Sequence, residues 1–200
     1  MKRSLIIIFL VLLLDQILKV WIKTHMHLGE EIPVFGNWFI IHFTENEGMA
    51  FGMKLGGASG KLILSIFRIL AVILIGIYLY RLVRTGSHPG LIICISLIFA
   101  GAFGNIIDSA FYGLLFSESS YHQVASFLPE GGGYTSFLHG KVVDMFYFPL
   151  IEGSLPSWVP FWGGNDFVFF RPVFNLADSS ITVGVFILIL FQKRFFGKKN

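Results

Sequence analysis

Long runs of apolar residues alternate with polar connections along this chain. Crossing about 30 Å of hydrocarbon at 1.5 Å per residue takes roughly 20 apolar residues. Four runs approach that length, at residues 4–22, 62–83, 91–116 and 174–191. The pattern predicts an all-α membrane protein with four transmembrane helices, in which residues 1–200 form a single integral membrane domain. An even number of spans places both termini on the same side.

Two long connections join these helices, over residues 23–61 and 117–173. The first contains the strand-like run Trp38-Phe39-Ile40-Ile41-His42-Phe43, and several glycines follow it. This predicts a small β-rich segment lying on the membrane surface. The second connection is rich in aromatic residues, which indicates either a functional contact with the membrane interface or ordinary interfacial anchoring.

Composition and charge agree with a lipid-embedded chain: 54% of the residues are hydrophobic, 14% are charged, and the mean hydropathy is +0.73. The net charge of +3 comes from lysines and arginines at segment ends, an arrangement that argues against a nucleic-acid-binding patch. Basic residues flank the termini and the connection after residue 83, whereas nine of the twelve acidic residues lie in the two long connections. The termini are therefore predicted to be cytoplasmic and the long connections external.

The ionisable residues inside the apolar runs need a partner or a purpose, because charge in lipid is costly. Asp15 and Lys19 are four residues apart, which predicts an ion pair with a structural role or a contact with lipid headgroups. Asn105 and Asp108 share one helix face, where they could clamp a neighbouring helix. Capping of the last helix would suffice to explain Asn175 and Asp178.

Asp144 differs from these residues because it lies in the apolar stretch Val142-Val143-Asp144-Met145, which leads from the second connection back to the membrane. Desolvation disfavours a carboxylate in such a setting, so Asp144 is expected to hold its proton to an unusually high pH.

Five short motifs occur in the order Asp15-Gln16-x-x-Lys19, Asn46-x-Gly48-x-Ala50-Phe51, Gly104-Asn105-x-x-Asp108, Val142-Val143-Asp144-Met145 and Phe174-Asn175-x-Ala177-Asp178. In this order they resemble the lipoprotein signal peptidases over nearly the whole chain. The resemblance implies a catalytic aspartate pair without a cofactor, formed by Asp144 and Asp178. It also implies a set of residues that line the site or bind substrate: Asn46, Gly48, Asn105, Asp108 and Asn175.

The same resemblance implies the biological setting. The substrate would be a prolipoprotein cut before its diacylglyceryl-modified cysteine, and the enzyme would work as a monomer among the lipids of the bacterial cytoplasmic (inner) membrane, with its site near the external face. Two features depart from the family. Ser109 stands where an arginine is usual, and the segments 117–140 and 148–171 are longer than usual.

Other functions fit the sequence less well. A proton-coupled carrier would also place Asp and Asn in membrane helices, but the two halves of the chain show no inverted repeat. A non-catalytic scaffold would use the aromatic second connection and would need neither aspartate. No thiolate zinc cluster is possible with Cys94 as the single cysteine, no His-Glu-x-x-His occurs, and no Gly-x-Ser-x-Gly supports a serine mechanism. We therefore expect no metal site.

Overall fold

Three long apolar helices form the body of the protein in a computed structural model, which describes residues 1–47, 57–154, 156–158, 160–161 and 163–197. They are α1 (Lys2–His25), α2 (Gly57–Arg84) and α3 (Pro89–Ile107). Each is long and apolar enough to cross a membrane, and the third span extends to Leu115. The three long predicted runs are thus confirmed as helices, with ends that differ by a few residues.

The fourth predicted span is shorter than expected. Helix α5 (Leu176–Leu190) has 15 residues, and the short helix α6 (Gln192–Phe196) follows it after a break at Phe191. Fifteen residues extend about 22 Å at 1.5 Å per residue, which is less than the usual hydrocarbon thickness. Four membrane-spanning helices therefore stay a prediction.

Helix α3 changes its winding where the sequence predicts a continuous helix to residue 116. A π-helical turn spans Asp108–Tyr112, and the short helix α4 (Gly113–Leu115) completes the segment. Main-chain carbonyls of the π-helical turn, at Ser109 and Ala110, accept hydrogen bonds from N–H groups of the loop before residue 141. One such bond joins Gly140 N–H to Ser109 O at 2.9 Å.

An antiparallel sheet of three strands lies at one end of the helices, and we call this end the sheet end. Strand β1 (Glu31–Phe35) pairs with β2 (Phe39–Asn46), which pairs with β3 (Val142–Tyr147). The sheet predicted from the first connection is therefore confirmed, but its third strand comes from the second connection. That connection also forms a two-stranded sheet from β4 (Ile151–Ser154) and β5 (Asp166–Phe169). An all-α description with strands only in the first connection was too narrow.

Strand β3 escaped prediction because its first four residues are all buried. A strand with one solvated face shows alternating polar and apolar residues, whereas a strand covered on both faces reads as an apolar run. Val143 and Met145 belong to the apolar core beneath the sheet.

Small residues bring the helices close together. A Cβ atom on Gly101 would lie 2.2 Å from the carbonyl oxygen of Ala177, so only glycine allows α3 and α5 to approach this closely. Nearer the other end, a Cβ atom on Gly184 of α5 would lie 2.8 Å from the carbonyl oxygen of Cys94. These two contacts show that α5 runs antiparallel to α3, with its N-terminus at the sheet end.

Candidate active site

Two asparagine amides connect the two aspartates that the sequence singled out. Asn175 Nδ2 donates to Asp144 Oδ1 at 2.8 Å and to Asn105 Oδ1 at 3.1 Å. Asn105 Nδ2 donates in turn to Asp178 Oδ1 at 2.8 Å. The carboxyl groups come from strand β3 and helix α5, yet a chain of three hydrogen bonds holds them in one polar cluster.

The carboxyl group of Asp144 is nearly shielded from solvent, with 3% of the residue exposed. Burial raises the pKa of Asp144 to about 7, and the negative charge of Asp178 acts in the same direction. Hydrogen bonds from Asn46 and Asn175 and the charge of Lys19 oppose this rise. Asp144 therefore carries a proton at mildly acidic pH, as its apolar sequence context predicts.

The start of α5 fixes the position of Asp178. Asn175 is the N-cap of this helix: its side-chain oxygen accepts the Asp178 N–H at 2.8 Å, and Asp178 Oδ2 accepts the Asn175 N–H at 3.4 Å. This reciprocal pair is a capping box, which satisfies two main-chain donors at the helix start. The sequence suggested capping as a sufficient role for both residues, but each also bonds to another group in the cluster.

Strand β2 brings Asn46 to Asp144. Thr44 is the register partner of Asp144 across the β2–β3 pair, and Asn46 Nδ2 donates to Asp144 Oδ2 at 3.1 Å. Both carboxyl oxygens of Asp144 thus accept an amide N–H. Gly48, the other predicted site residue of this motif, lies outside the described residues.

Below the aspartate pair, the ammonium group of Lys19 joins three helical side chains. Lys19 Nζ lies 2.9 Å from Asp15 Oδ2, 2.8 Å from Asp108 Oδ2 and 2.9 Å from Asn105 Oδ1. The side chains of Asp15, Lys19 and Asp108 are fully buried. The predicted Asp15–Lys19 ion pair thus lies inside the helix bundle, and its burial favours the structural role of the two that the sequence predicts.

Two polar residues of this cluster were not singled out as site residues from the sequence. Gln16 Nε2 donates to Asp108 Oδ1 at 3.0 Å, and Tyr112 OH donates to Gln16 Oε1 at 3.1 Å. Gln16 stands within the first family-like motif, which was the available signal. Tyr112 gives no such signal, because its position depends on the π-helical turn.

Arg68 was missed for a different reason. It is the single charged residue between Leu62 and Tyr80, and such a residue in a membrane helix is a functional candidate by default. Lys19 was the one basic residue inside the helices to be considered, because its spacing from Asp15 predicts an ion pair, and Arg68 has no acid at that spacing on α2.

The longer segment 117–140 is anchored to α1 and β2 by the hydroxyl group of Ser119, which contacts both members of a buried ion pair. Lys23 Nζ contacts Glu45 Oε1 and lies 2.8 Å from Ser119 Oγ. Ser119 Oγ donates to Glu45 Oε1 at 2.9 Å, so the start of the segment is bound to both α1 and β2.

Among the residues that the structure describes, no group of three or more His, Cys, Asp or Glu side chains could hold a metal ion.

Comparisons with known proteins give a consistent result. Residues 7–194 match the family model described as "Signal peptidase (SPase) II". A lipoprotein signal peptidase of Porphyromonas gingivalis is 54% identical over 189 residues, which cover 94% of this chain and 81% of the relative. The lipoprotein signal peptidase of Amoebophilus asiaticus is 40% identical over 92% of this chain and 75% of its own length. A bacterial membrane enzyme solved by the in meso method superposes with a TM-score of 0.62 at 26% identity, over 96% of this chain and 93% of the other.

Proposed function

This chain belongs to the signal peptidase II family, and we propose that it cuts diacylglyceryl-modified prolipoproteins before the modified cysteine, with Asp144 and Asp178 as the catalytic pair. Membership makes the chain a protease that removes signal peptides from prolipoproteins, and its apolar helices make it an integral membrane protein. The further proposal concerns its aspartyl chemistry and its cleavage position.

One observation carries the aspartyl mechanism. The amides of Asn175 and Asn105 hold Asp144 and Asp178 in a single hydrogen-bonded cluster. Two carboxyl groups in one hydrogen-bonded cluster do not both ionise readily when one of them is buried, so we propose that the pair shares one proton. One protonated and one ionised carboxyl group are what aspartyl hydrolysis of a peptide bond requires.

In the proposed mechanism, the ionised Asp178 takes a proton from a water molecule, and the water oxygen attacks the scissile carbonyl carbon. The protonated Asp144 donates its proton to the carbonyl oxygen as the tetrahedral intermediate forms. When the C–N bond breaks, Asp178 gives its proton to the leaving nitrogen and Asp144 recovers one from the intermediate's hydroxyl group. The pair thus returns to its one-proton state. This assignment of roles follows the burial of Asp144 and the place of Asp178 at a helix N-terminus.

The remaining parts of the proposal concern place and partners. Both aspartates lie at the sheet end, which we assign to the external face of the bacterial cytoplasmic membrane because the basic residues concentrate at the opposite helix ends. A signal helix held in lipid would reach this depth by lateral entry from the bilayer. We expect the enzyme to work as a monomer and without a cofactor. We propose that Asn46, Gly48 and Asp108 line the site.

The test is cleavage of a purified, lipid-modified prolipoprotein in detergent with a metal chelator present, followed by gel shift. The unaltered chain should cut, whereas Asp144→Asn and Asp178→Asn should each lose at least about 100-fold in rate, since each removes a proton-transfer group. Asp166→Asn is the matched control, because Asp166 is an exposed acid on β5. It should cut at the unaltered rate.

Persistent cleavage by either site variant would refute the aspartate pair. If no folded chain cuts at all, the peptidase proposal fails and the carrier alternative becomes the one to pursue. Thermal unfolding of each variant shows whether the chain is folded.

A further inference from the structure

Arg68 is a charged residue in the middle of an apolar helix. An arginine at the centre of a membrane helix costs about 2.5 to 3.5 kcal/mol on insertion scales, so its retention calls for a compensating interaction. The proposed hydrolysis assigns no step to it.

Helix α2 turns Arg68 towards the interior of the bundle. Lys61, Ser65 and Val72 are buried, and Arg68 falls on the same stripe at helical spacing. Ser65 Oγ, one turn before Arg68, donates to the carbonyl oxygen of Leu138 at 2.9 Å. The exposed residues next to Arg68, such as Phe67, face the opposite way.

The depth of Arg68 matches that of the polar cluster. A Cβ atom on Gly76 would lie 3.0 Å from the ring of Phe99, so Gly76 and Phe99 lie at about the same level of the antiparallel helices α2 and α3. Arg68 lies eight residues before Gly76, and Ile107 lies eight residues after Phe99, in both cases towards the sheet end. The two helices rise equally per residue, so Arg68 and Ile107 lie at about the same level. Ile107 directly precedes Asp108.

The charges around Arg68 agree with this placement. Its guanidinium group interacts electrostatically with Asp178 most strongly, then with Asp144 and Asp108. The charges of both members of the aspartate pair therefore act on Arg68.

The balance of acids and cations in the cluster indicates what the guanidinium group of Arg68 contributes. The cluster holds four acids, which come from α1, the π-helical turn, β3 and α5, and one ammonium group, that of Lys19. Even with one proton on the aspartate pair, the remaining acids outnumber the single ammonium group, and Arg68 adds a second positive charge to the cluster. Lys23, Lys61 and Lys141 also lie near the sheet end, but each pairs with acids outside the cluster: Lys23 with Glu45, Lys61 with Glu47, and Lys141 with Glu45 and Glu118.

Ser109 adds no charge to this balance. Its hydroxyl group is buried and donates to the carbonyl oxygen of Asn105 at 3.1 Å.

We propose that Arg68 is a positioning residue that stabilises the singly ionised state of the Asp144–Asp178 pair. The inference rests on the proposed function and deepens it, because it names the group that sets the protonation of the catalytic pair. A nearby positive charge favours the ionised form of a carboxyl group, so the pair keeps one negative charge to a lower pH when Arg68 is present.

The experiment compares the pH profile of kcat/KM for the unaltered chain, Arg68→Gln and Arg68→Lys, with the same lipid-modified prolipoprotein in detergent. Removing the positive charge should move the acidic limb of the Arg68→Gln profile to higher pH by about one unit. At any pH on that limb, kcat/KM should then be about tenfold lower than for the unaltered chain. Arg68→Lys should keep the profile because it keeps the charge. Arg81→Gln removes an exposed arginine of the same helix and should leave the profile unchanged.

An Arg68→Gln protein that is folded and retains the unaltered profile would overturn the inference, as would an equal loss of rate at every pH. If Arg68→Gln does not fold, Arg68→Met replaces it as the uncharged variant: a displaced acidic limb supports a role for the charge, and the unaltered profile contradicts it. Asp144→Asn and Asp178→Asn run in parallel, so a failure of the aspartate pair is distinguished from a failure of the Arg68 inference.

Discussion

Replacement of Lys19 by methionine is the sharpest test of how the polar cluster is held together. The three N–H donors of its ammonium group match the three oxygens that it contacts, on Asp15, Asp108 and Asn105. Lys19→Met keeps a long apolar stem but leaves two fully buried carboxyl groups without their cation. We therefore expect a large loss of stability.

The magnitude follows from the burial of these groups. Removing one partner of a buried ion pair costs about 3–5 kcal/mol, because the remaining charge is neither solvated nor paired. For chains of 150–250 residues, 1 kcal/mol corresponds to about 2–4 °C in Tm, so Lys19→Met should lower the Tm by about 6–20 °C. Thermal unfolding of the detergent-solubilised protein, followed by tryptophan fluorescence, measures this change.

A control and a second variant make the result specific. Lys193→Met removes an exposed lysine near the C-terminus and should leave the Tm within about 2 °C of the unaltered value, as expected for a surface change. Adding Asp108→Asn to Lys19→Met should recover part of the loss, because only one of the two acids that Lys19 bridges is then charged. A Lys19→Met protein that melts like the unaltered chain would refute the reasoning.

Two further predictions concern the aspartate pair itself. Because burial raises the pKa of Asp144 to about 7, the pair holds its shared proton below that pH and loses it above, so kcat/KM should fall about tenfold per pH unit on the alkaline side. A plateau in kcat/KM up to pH 9 would contradict this assignment. Asn175→Asp keeps a side-chain oxygen that can cap α5 but removes the amide donor to Asp144 and places a third buried carboxyl group beside the pair, so it should lower the Tm and lose at least about tenfold in cleavage rate. Equal cleavage rates would show that the cap alone matters.

The long helices were predictable because hydrocarbon imposes its own length scale on the sequence. Lipid offers no hydrogen bonds, so a spanning segment must satisfy its main-chain groups internally and read as one apolar run. The residues 4–22, 62–83 and 91–116 lie almost entirely within helical segments of the structure. The run at 174–191 was less informative, because Asn175 starts the helix and Phe191 interrupts it.

The second connection was not predictable at the same level because its structure depends on distant partners. Strand β3 is defined by its pairing with β2, which lies about 100 residues earlier in the chain. The π-helical turn from Asp108 is likewise stabilised by the loop that packs over it. Neither contact leaves a local periodicity, so neither could be derived from residue spacing alone.

The candidate site was predicted as a set of residues but not as a network. The motifs identified Asn105, Asp144, Asn175 and Asp178 as separate members of the site, while the structure joins them through hydrogen bonds. The positions of amide groups relative to carboxyl groups depend on how α3, β3 and α5 pack. No spacing within one segment specifies that packing.

The chemistry of asparagine explains why amides rather than further charges connect the two aspartates. An amide both accepts and donates hydrogen bonds, so Asn175 caps α5 with its oxygen and contacts Asp144 with its nitrogen. A carboxylate in that place could cap the helix but would add a third negative charge beside the pair, and a lysine could donate but could not cap. Asn105 has the same double use, because its oxygen accepts from Lys19 and its nitrogen donates to Asp178. The amides thus link the Lys19 cluster to the aspartate pair without changing the charge of either.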